Sequence, residues 1–419
     1  MNGFDLSTVT NIYLGSTPVT EVYMGSTRIW PKDTFNYAGE YFTIESLEDY
    51  NQIGIVDSDR PSIEISTNKY EWTTVTPDAA PTYFITLNAG EKVYIRGNNE
   101  AYYSDSWSTE GYFTSTGQFN VSGNIESLAF GDSFPAYEPY FSSNAFKKLF
   151  YNANGLVSAE HLALPNTASY GCYEYMFGYC SSLTKAPKLP ATEFSYDNCY
   201  KGMFQNCSSL TKAPKLPATS LTQSCYENMF AYCTSLTTAP SLPATRLSYS
   251  CYSGMFKGCT SLTTAPELPA TKLYDECYFS MFYGCSSLTK TPKLPATSLA
   301  TYCYGGMFMG CSSLTTAPEL PATTLATWCY GNMFYGCSSL TKAPDLPATT
   351  LPSNCYTFMF QDCSSLNYIK MLATSISSSN CMQDWVAGVA PSGTFVKQAS
   401  TTLPTGGNGI PDGWTVETV

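Results

Sequence analysis

The side chains best equipped for chemistry in this chain are cysteines, and they come in pairs. Seven residues separate the members of each pair, and the first members are Cys172, Cys199, Cys225, Cys251, Cys277, Cys303, Cys329 and Cys355, with Cys381 following alone. Three chemistries compete for such a pattern. A disulfide within a pair fails if the intervening residues are helical, because eight helical residues rise about 12 Å and a bridge needs Cα atoms within about 7 Å. Bridges between adjacent copies are the alternative. Zinc is disfavoured by the spacing and by the presence of a single histidine, His161. A cysteine nucleophile needs a base, and the cysteine-bearing copies contain no histidine. The expectation is a ladder of reduced, buried thiols that behave as small hydrophobes. No G-x-S-x-G, H-E-x-x-H, phosphate-loop or dinucleotide fingerprint occurs. The carboxylates of the repeats occupy variable positions, a poor place for a dedicated glycosidase pair. The chain therefore reads as a non-enzyme, with no catalytic residue, no metal site and no cofactor.

Lysines form a second recurring set. One column reads Lys185, Lys212, Thr238, Thr264, Lys290, Thr316 and Lys342, and another reads Lys188, Lys215, Ser241, Glu267, Lys293, Glu319 and Asp345. If copies stack in register, equivalent residues lie about 5 Å apart. Glu267, Lys293 and Glu319 then alternate in sign, whereas Lys185, Lys188, Lys212 and Lys215 crowd four like charges together. These lysines read either as solvated surface with splayed stems or as a site for the acidic groups of a surface polysaccharide or lipopolysaccharide. Lys290 and Lys293 extend that candidate set, and Tyr179 and Tyr232 are candidates for sugar stacking if they face the same side.

A 26-residue unit, CYxxMFxxCSSLTxAPxLPATxL plus a short variable run, positions all of these residues. Every step between first cysteines is 26 residues except the first, which is 27. A period this regular makes each unit one supersecondary element that buries its apolar face only against its neighbours, which is a solenoid. In the copy Cys225 to Ser250, the residues Cys225, Met229, Phe230 and Cys233 fall at i, i+4, i+5 and i+8, the apolar stripe of a short helix. Leu236, Ala239 and Leu242 follow in a segment poor in helix formers, so a short parallel strand is expected around Ser235–Ala239, with Pro240 and Pro243 limiting its ladder. The expected fold class is mixed α/β: an N-terminal all-β domain, then a solenoid with one short parallel strand and one short helix per coil, then a C-terminal β cap.

MFxxCSSL followed by APxLPATxL resembles the BspA-type leucine-rich repeats, especially those of gut Bacteroidales and their phages. The resemblance implies a strand on the concave face, a short helix on the convex face, and a role in adhesion or recognition. The wording YFTIESLED…SIEISTN…AGEKVYIRG…FNVSGNIESL resembles the β-domain that often precedes such repeats, and the ending from Trp385 to Val416 resembles their C-terminal cap.

In chain order, residues 1–33 hold a tandem echo, Tyr13-Leu14-Gly15-Ser16-Thr17 answered by Tyr23-Met24-Gly25-Ser26-Thr27 and closed by Trp30. Two β-hairpins with Gly-Ser turns fit it, and it resembles an N-terminal attachment module of phage structural proteins. Residues 34–130 alternate in the β manner, as at Ile63 and Ile65 or Val93 and Ile95, and read as a sandwich. Residues 131–171 read as a worn capping repeat in which Leu149-Phe150 stand for Met176-Phe177. Eight copies occupy 172–380, and 381–419 form the C-terminal cap. A net charge of −12 argues against nucleic acid, and no apolar run approaches the ~18 residues of a membrane span. No secretory signal is evident at Met1. These features point to a virion protein, with the bacterial cell surface as the alternative. The expected partners are other virion proteins at the N-terminus and a surface glycan or protein receptor at the repeats, and a homo-oligomer is expected.

Overall fold

The computed structural model describes residues 39–56, 61–76, 78, 81–97, 112–134, 141–165 and 169–419, together with four short strands nearer the N-terminus. Those four, β1 (Tyr13–Leu14), β2 (Thr17–Pro18), β3 (Val22–Met24) and β4 (Thr27–Trp30), form two antiparallel pairs, Leu14 opposite Thr17 and Met24 opposite Thr27. Gly15 and Gly25 lie outside the described residues.

Period-two alternation becomes β structure in the next region. The strands are β5 (Phe42–Ser46), β6 (Asn51–Ile55), β7 (Ile63–Ser66), β8 (Thr73–Val75), β9 (Thr82–Leu87), β10 (Lys92–Arg96), β11 (Phe113–Ser115) and β12 (Phe119–Asn124). A strand from the expected capping repeat, β13 (Leu156–Ala163), completes a six-stranded sheet ordered β13-β12-β5-β10-β7-β8, while β11-β6-β9 form a second sheet. Phe42 of one sheet meets Phe113 of the other at 5.2 Å between ring centroids, and both reach Phe150. The one α-helix among the described residues is a single turn, α1 (Ser127–Phe130).

The stretch CYxxMFxxC is not a helix. In the copy at Cys225, Glu227, Met229, Ala231 and Cys233 donate their backbone N–H groups three residues back, to Ser224, Tyr226, Asn228 and Phe230. The alternate residues Tyr226, Asn228, Phe230 and Tyr232 donate to Cys251, Ser253, Met255 and Lys257 of the next copy. Every fourth residue, here Ser224, Asn228 and Tyr232, has positive φ (52, 54 and 62°). A left-handed residue at every turn is incompatible with an α-helix. Gly254, Gly258, Gly306 and Gly310 occupy the same positions elsewhere, where glycine carries no steric penalty. The chain thus forms a ribbon of overlapping turns, and the coils stack because half of the ribbon's donors have partners only in the next coil.

Side chains follow the same period of four. Cys225-Tyr226, Met229-Phe230 and Cys233 are buried, while Glu227, Asn228 and Tyr232 face outward. Stacking copies builds two aromatic ladders. Tyrosines run from Tyr173 to Tyr356 with centroids 5.4 to 6.2 Å apart. Phenylalanines run from Phe150 to Phe360 at 5.3 to 5.8 Å. Trp385, fully buried, ends both, 6.0 Å from Tyr356 and 6.0 Å from Phe360, with its indole N–H donated to Gly409 O at 2.9 Å.

The strand expected in each copy is reduced to isolated parallel bridges, among them Lys212–Thr238, Thr264–Lys290 and Lys342–Tyr368. Prolines explain the reduction, since each removes a ladder donor. Where the equivalent segment lacks proline, true strands appear: β13 at one end, and β14 (Tyr368–Met371), β15 (Thr394–Lys397) and β16 (Thr415–Thr418) as a parallel sheet at the other. The C-terminal cap therefore continues the stack as a sheet. β13 joins the stack to the N-terminal sheet: one edge pairs with β12, and on the other Ala159 N–H reaches Lys185 O at 2.9 Å.

All 17 cysteines are unpaired and buried. The second thiol of each pair donates to a carbonyl of the preceding coil, as from Cys233 to Phe204 O and from Cys259 to Phe230 O, both at 3.1 Å. Burial in an apolar layer raises the thiol pKa values, to about 12 for Cys172, Cys233, Cys285 and Cys337. Because the folded pKa lies above the unfolded one, stability is complete below about pH 8.5 and declines as pH rises toward the folded values. At pH 9 the loss is less than about 1 kcal/mol per buried thiol, and it accumulates over the stacked copies as pH rises further. Circular dichroism should therefore record cooperative unfolding between about pH 8.5 and 10. At neutral pH a thiol reagent should find few sites in the native protein and close to 17 after denaturation without reductant. A native fold at pH 10, or thiols already paired, would contradict this account.

Candidate functional site

Two outward surfaces of the stack carry the candidate residues. The TxAPxLP segments hold the lysines: Lys185, Lys188, Lys212, Lys215, Lys290 and Lys293 are all exposed. Here the alternation of Leu with polar residues buries Leu189, Leu216 and Leu294 and turns the lysines to solvent. The turn ribbon holds the tyrosines. Tyr179 lies 5.1 Å from Tyr151, and Tyr232 has Lys257 Nζ 5.9 Å from its ring. Neither tyrosine contacts a lysine of the two columns, so the structure does not assemble the sugar-stacking arrangement that would join them.

Lys185 and Lys188 lie on one coil and Lys212 and Lys215 on the next, all four exposed. Sequence reasoning missed a partner for this group. Glu160 on β13 accepts from Lys185 Nζ at 2.8 Å, and that bond, aided by His161 and Lys188, holds the Glu160 carboxyl below its ordinary range. The signal lay in the worn repeat, whose Glu160 sits two residues from the bridge between Ser158 and Lys185. Lys188, Lys212 and Lys215 form no ion pair within 4 Å among the described residues, so the patch keeps most of its positive charge. The alternation expected at Glu267, Lys293 and Glu319 yields no ion pair at that distance either. In contrast, Asp345 receives Lys370 Nζ at 2.8 Å, and Lys342 Nζ lies 4.9 Å from the Tyr368 ring.

The same face contains two grooves between successive coils. One of about 510 Å³ lies between 291–295 and Pro318, Glu319 and Pro321, and one of about 590 Å³ lies between 315–321 and 341–347. Lys293 lines the first and Lys342 the second, while Glu319 lines both. Among the described residues no group of three His, Cys, Asp or Glu is placed to hold a metal ion, and no helix is long and apolar enough to cross a membrane.

An exposed cationic patch of this kind supports binding of acidic groups at low ionic strength, with screening over about 8 Å at physiological salt. Replacing Lys185, Lys188, Lys212 and Lys215 together by Ser should leave the fold intact, since surface changes alter stability by about 0.5 kcal/mol or less each. If the patch recognises an acidic surface polysaccharide, adhesion to cells bearing it should fall in the quadruple variant, and wild-type adhesion should weaken with added salt. Salt-insensitive adhesion unchanged in the variant would remove the patch from recognition.

Residues 146–289 and 275–383 match the model of the BspA type leucine rich repeat region, in six copies. No curated protein and no solved structure shows a match. The matched span covers more than half of the 419 residues and coincides with the coils whose turn ribbons, thiols and aromatic ladders are described above. The chain belongs to the BspA-type leucine-rich-repeat family.

Proposed function

We propose that this chain is a non-enzymatic recognition protein that presents its stacked repeats to a bacterial surface glycan or protein. The observation that carries this reading is the division of labour within each copy. Cys, Tyr, Met, Phe and Leu are buried at the same positions coil after coil, whereas the outward columns at 185, 188 and their equivalents change from copy to copy. A constant interior with a varied exterior is the form of a binding surface on a rigid support. The repeat family, in which adhesion and recognition are the expected roles, supports the same conclusion.

In its finer form the proposal places the protein on a bacteriophage particle as a homo-oligomeric tail fibre or capsid-decorating adhesin, docked by its N-terminal residues. The support is the two short antiparallel strand pairs, β1 with β2 and β3 with β4, which precede the β region and its repeats. Tyr13, Leu14, Gly15, Tyr23, Met24, Gly25 and Trp30 would make the attachment. A bacterial cell-surface adhesin is the second reading, and the family match favours it on its own. Nucleic acid has no place in either reading, given the acidic balance of the chain. Deleting residues 1–31 should give a folded protein that no longer enters virions when supplied in place of the full chain. Normal incorporation of the truncated protein would remove the attachment role and leave the cell-surface reading.

A further inference from the structure

The coil at Thr315–Pro321 differs from its neighbours in one respect. In the equivalent segments before and after it, backbone groups reach an adjacent coil: Thr289 N–H to Thr263 O at 3.0 Å, Ala265 N–H to Lys290 O at 3.0 Å and Ala343 N–H to Tyr368 O at 3.0 Å. Parallel bridges likewise involve Lys185, Lys212, Thr238, Thr264, Lys290 and Lys342. Thr316, in the same column, has no bridge on either side, and residues 315–321 make no backbone–backbone hydrogen bond to any described residue. The two grooves flank this one segment, about 510 Å³ on one side and about 590 Å³ on the other.

We infer that these twin grooves bind a neutral oligosaccharide chain, one or more sugar units lodging on each side of Thr315–Pro321. This rests on the recognition reading above and names the ligand class. Both volumes fall within the ~300–1,000 Å³ usual for small-ligand sites. Buried Pro292, Pro318, Leu320 and Pro344 give each groove an apolar floor for the C–H faces of pyranose rings. The rims carry exposed Thr315, Thr316, Lys293, Glu319, Lys342 and Asp345, whose formal charges cancel, so the site does not select a charged ligand. Sugar hydroxyls both donate and accept, and so match free backbone N–H and C=O groups, threonine hydroxyls and carboxylates in close mixture. A peptide strand fits less well: strand addition needs a continuous row of donors, and Pro318 and Pro321 interrupt it. Glu319 is the pivotal side chain, because it lines both grooves and forms no ion pair within 4 Å.

Saturation-transfer NMR and calorimetry on the full chain, with the tetrasaccharides of glucose, mannose, galactose and N-acetylglucosamine and with tetragalacturonate as the acidic comparison, test this directly. At least one neutral tetrasaccharide should bind with little dependence on salt. Glu319→Ala should weaken it tenfold or more, Thr316→Trp should abolish it by filling the larger groove, and the quadruple lysine-to-serine variant should bind as wild type. Binding of none of the neutral sugars, or wild-type binding by both Glu319→Ala and Thr316→Trp, overturns the proposal. Adhesion of the same variants to bacterial cells separates the two levels. Wild-type-like adhesion by both groove variants sinks the groove alone, whereas no adhesion by the wild-type chain to any cell sinks the recognition reading beneath it.

Discussion

The structure depends on a backbone that divides its hydrogen bonds evenly between itself and its neighbour. In the turn ribbon, one N–H closes a local turn and the next crosses to the following coil. An α-helix would use nearly every donor internally and leave coils to associate by side chains alone; a strand would direct all of them sideways. The alternating ribbon does both. It holds coils at a spacing where rings stack at 5.3 to 6.2 Å and where each second-position thiol meets a carbonyl of the coil before. Cysteine suits that site because it is small, apolar and still a weak donor.

Such a stack has no natural end, and both ends are closed by changes in the same pattern. At the start, Phe146 and Phe150 continue the two ladders into the β region, where Phe130, Phe141, Phe42 and Phe113 receive them. At the finish, one indole, Trp385, terminates both ladders, and a proline-free parallel sheet replaces the single bridges. The apolar core is in consequence one continuous cluster from Phe42 to Trp414, and the β region is part of the scaffold that fixes the first coil.

Much of this was legible in the sequence. Although the inward Tyr ladder was not anticipated, the 26-residue period, the unpaired thiols, the inward Met and Phe, and the correspondence of Phe150 with Phe177 all follow from spacing and residue type. The helix did not. Apolar residues at i, i+1, i+4, i+5 and i+8 have a period of four, and over nine residues that differs little from the 3.6 of a helix. The decisive sign was the recurrence of Gly and Asn at every fourth position, as at Asn198, Gly202 and Asn206, which marks left-handed backbone. The strands were misjudged for a related reason: prolines were expected to shorten a ladder, and in most copies they reduced it to one bridge. The grooves around Thr315–Pro321 were not visible at all, because that segment spells nearly the same residues as its neighbours and differs in lacking backbone hydrogen bonds to the coils on either side.

Recognition, on this account, is a property of what the ribbon and the proline segments leave outside the core, so the account stands or falls with the ribbon itself. Hydrogen-bond scalar couplings in the deuterated protein observe it directly. They should appear between Met229 N and Tyr226 C′ within a coil and between Phe230 N and Met255 C′ across coils, repeating with the copies. Couplings from each amide to the carbonyl four residues earlier, with none between coils, would show a helix in this stretch and contradict the account.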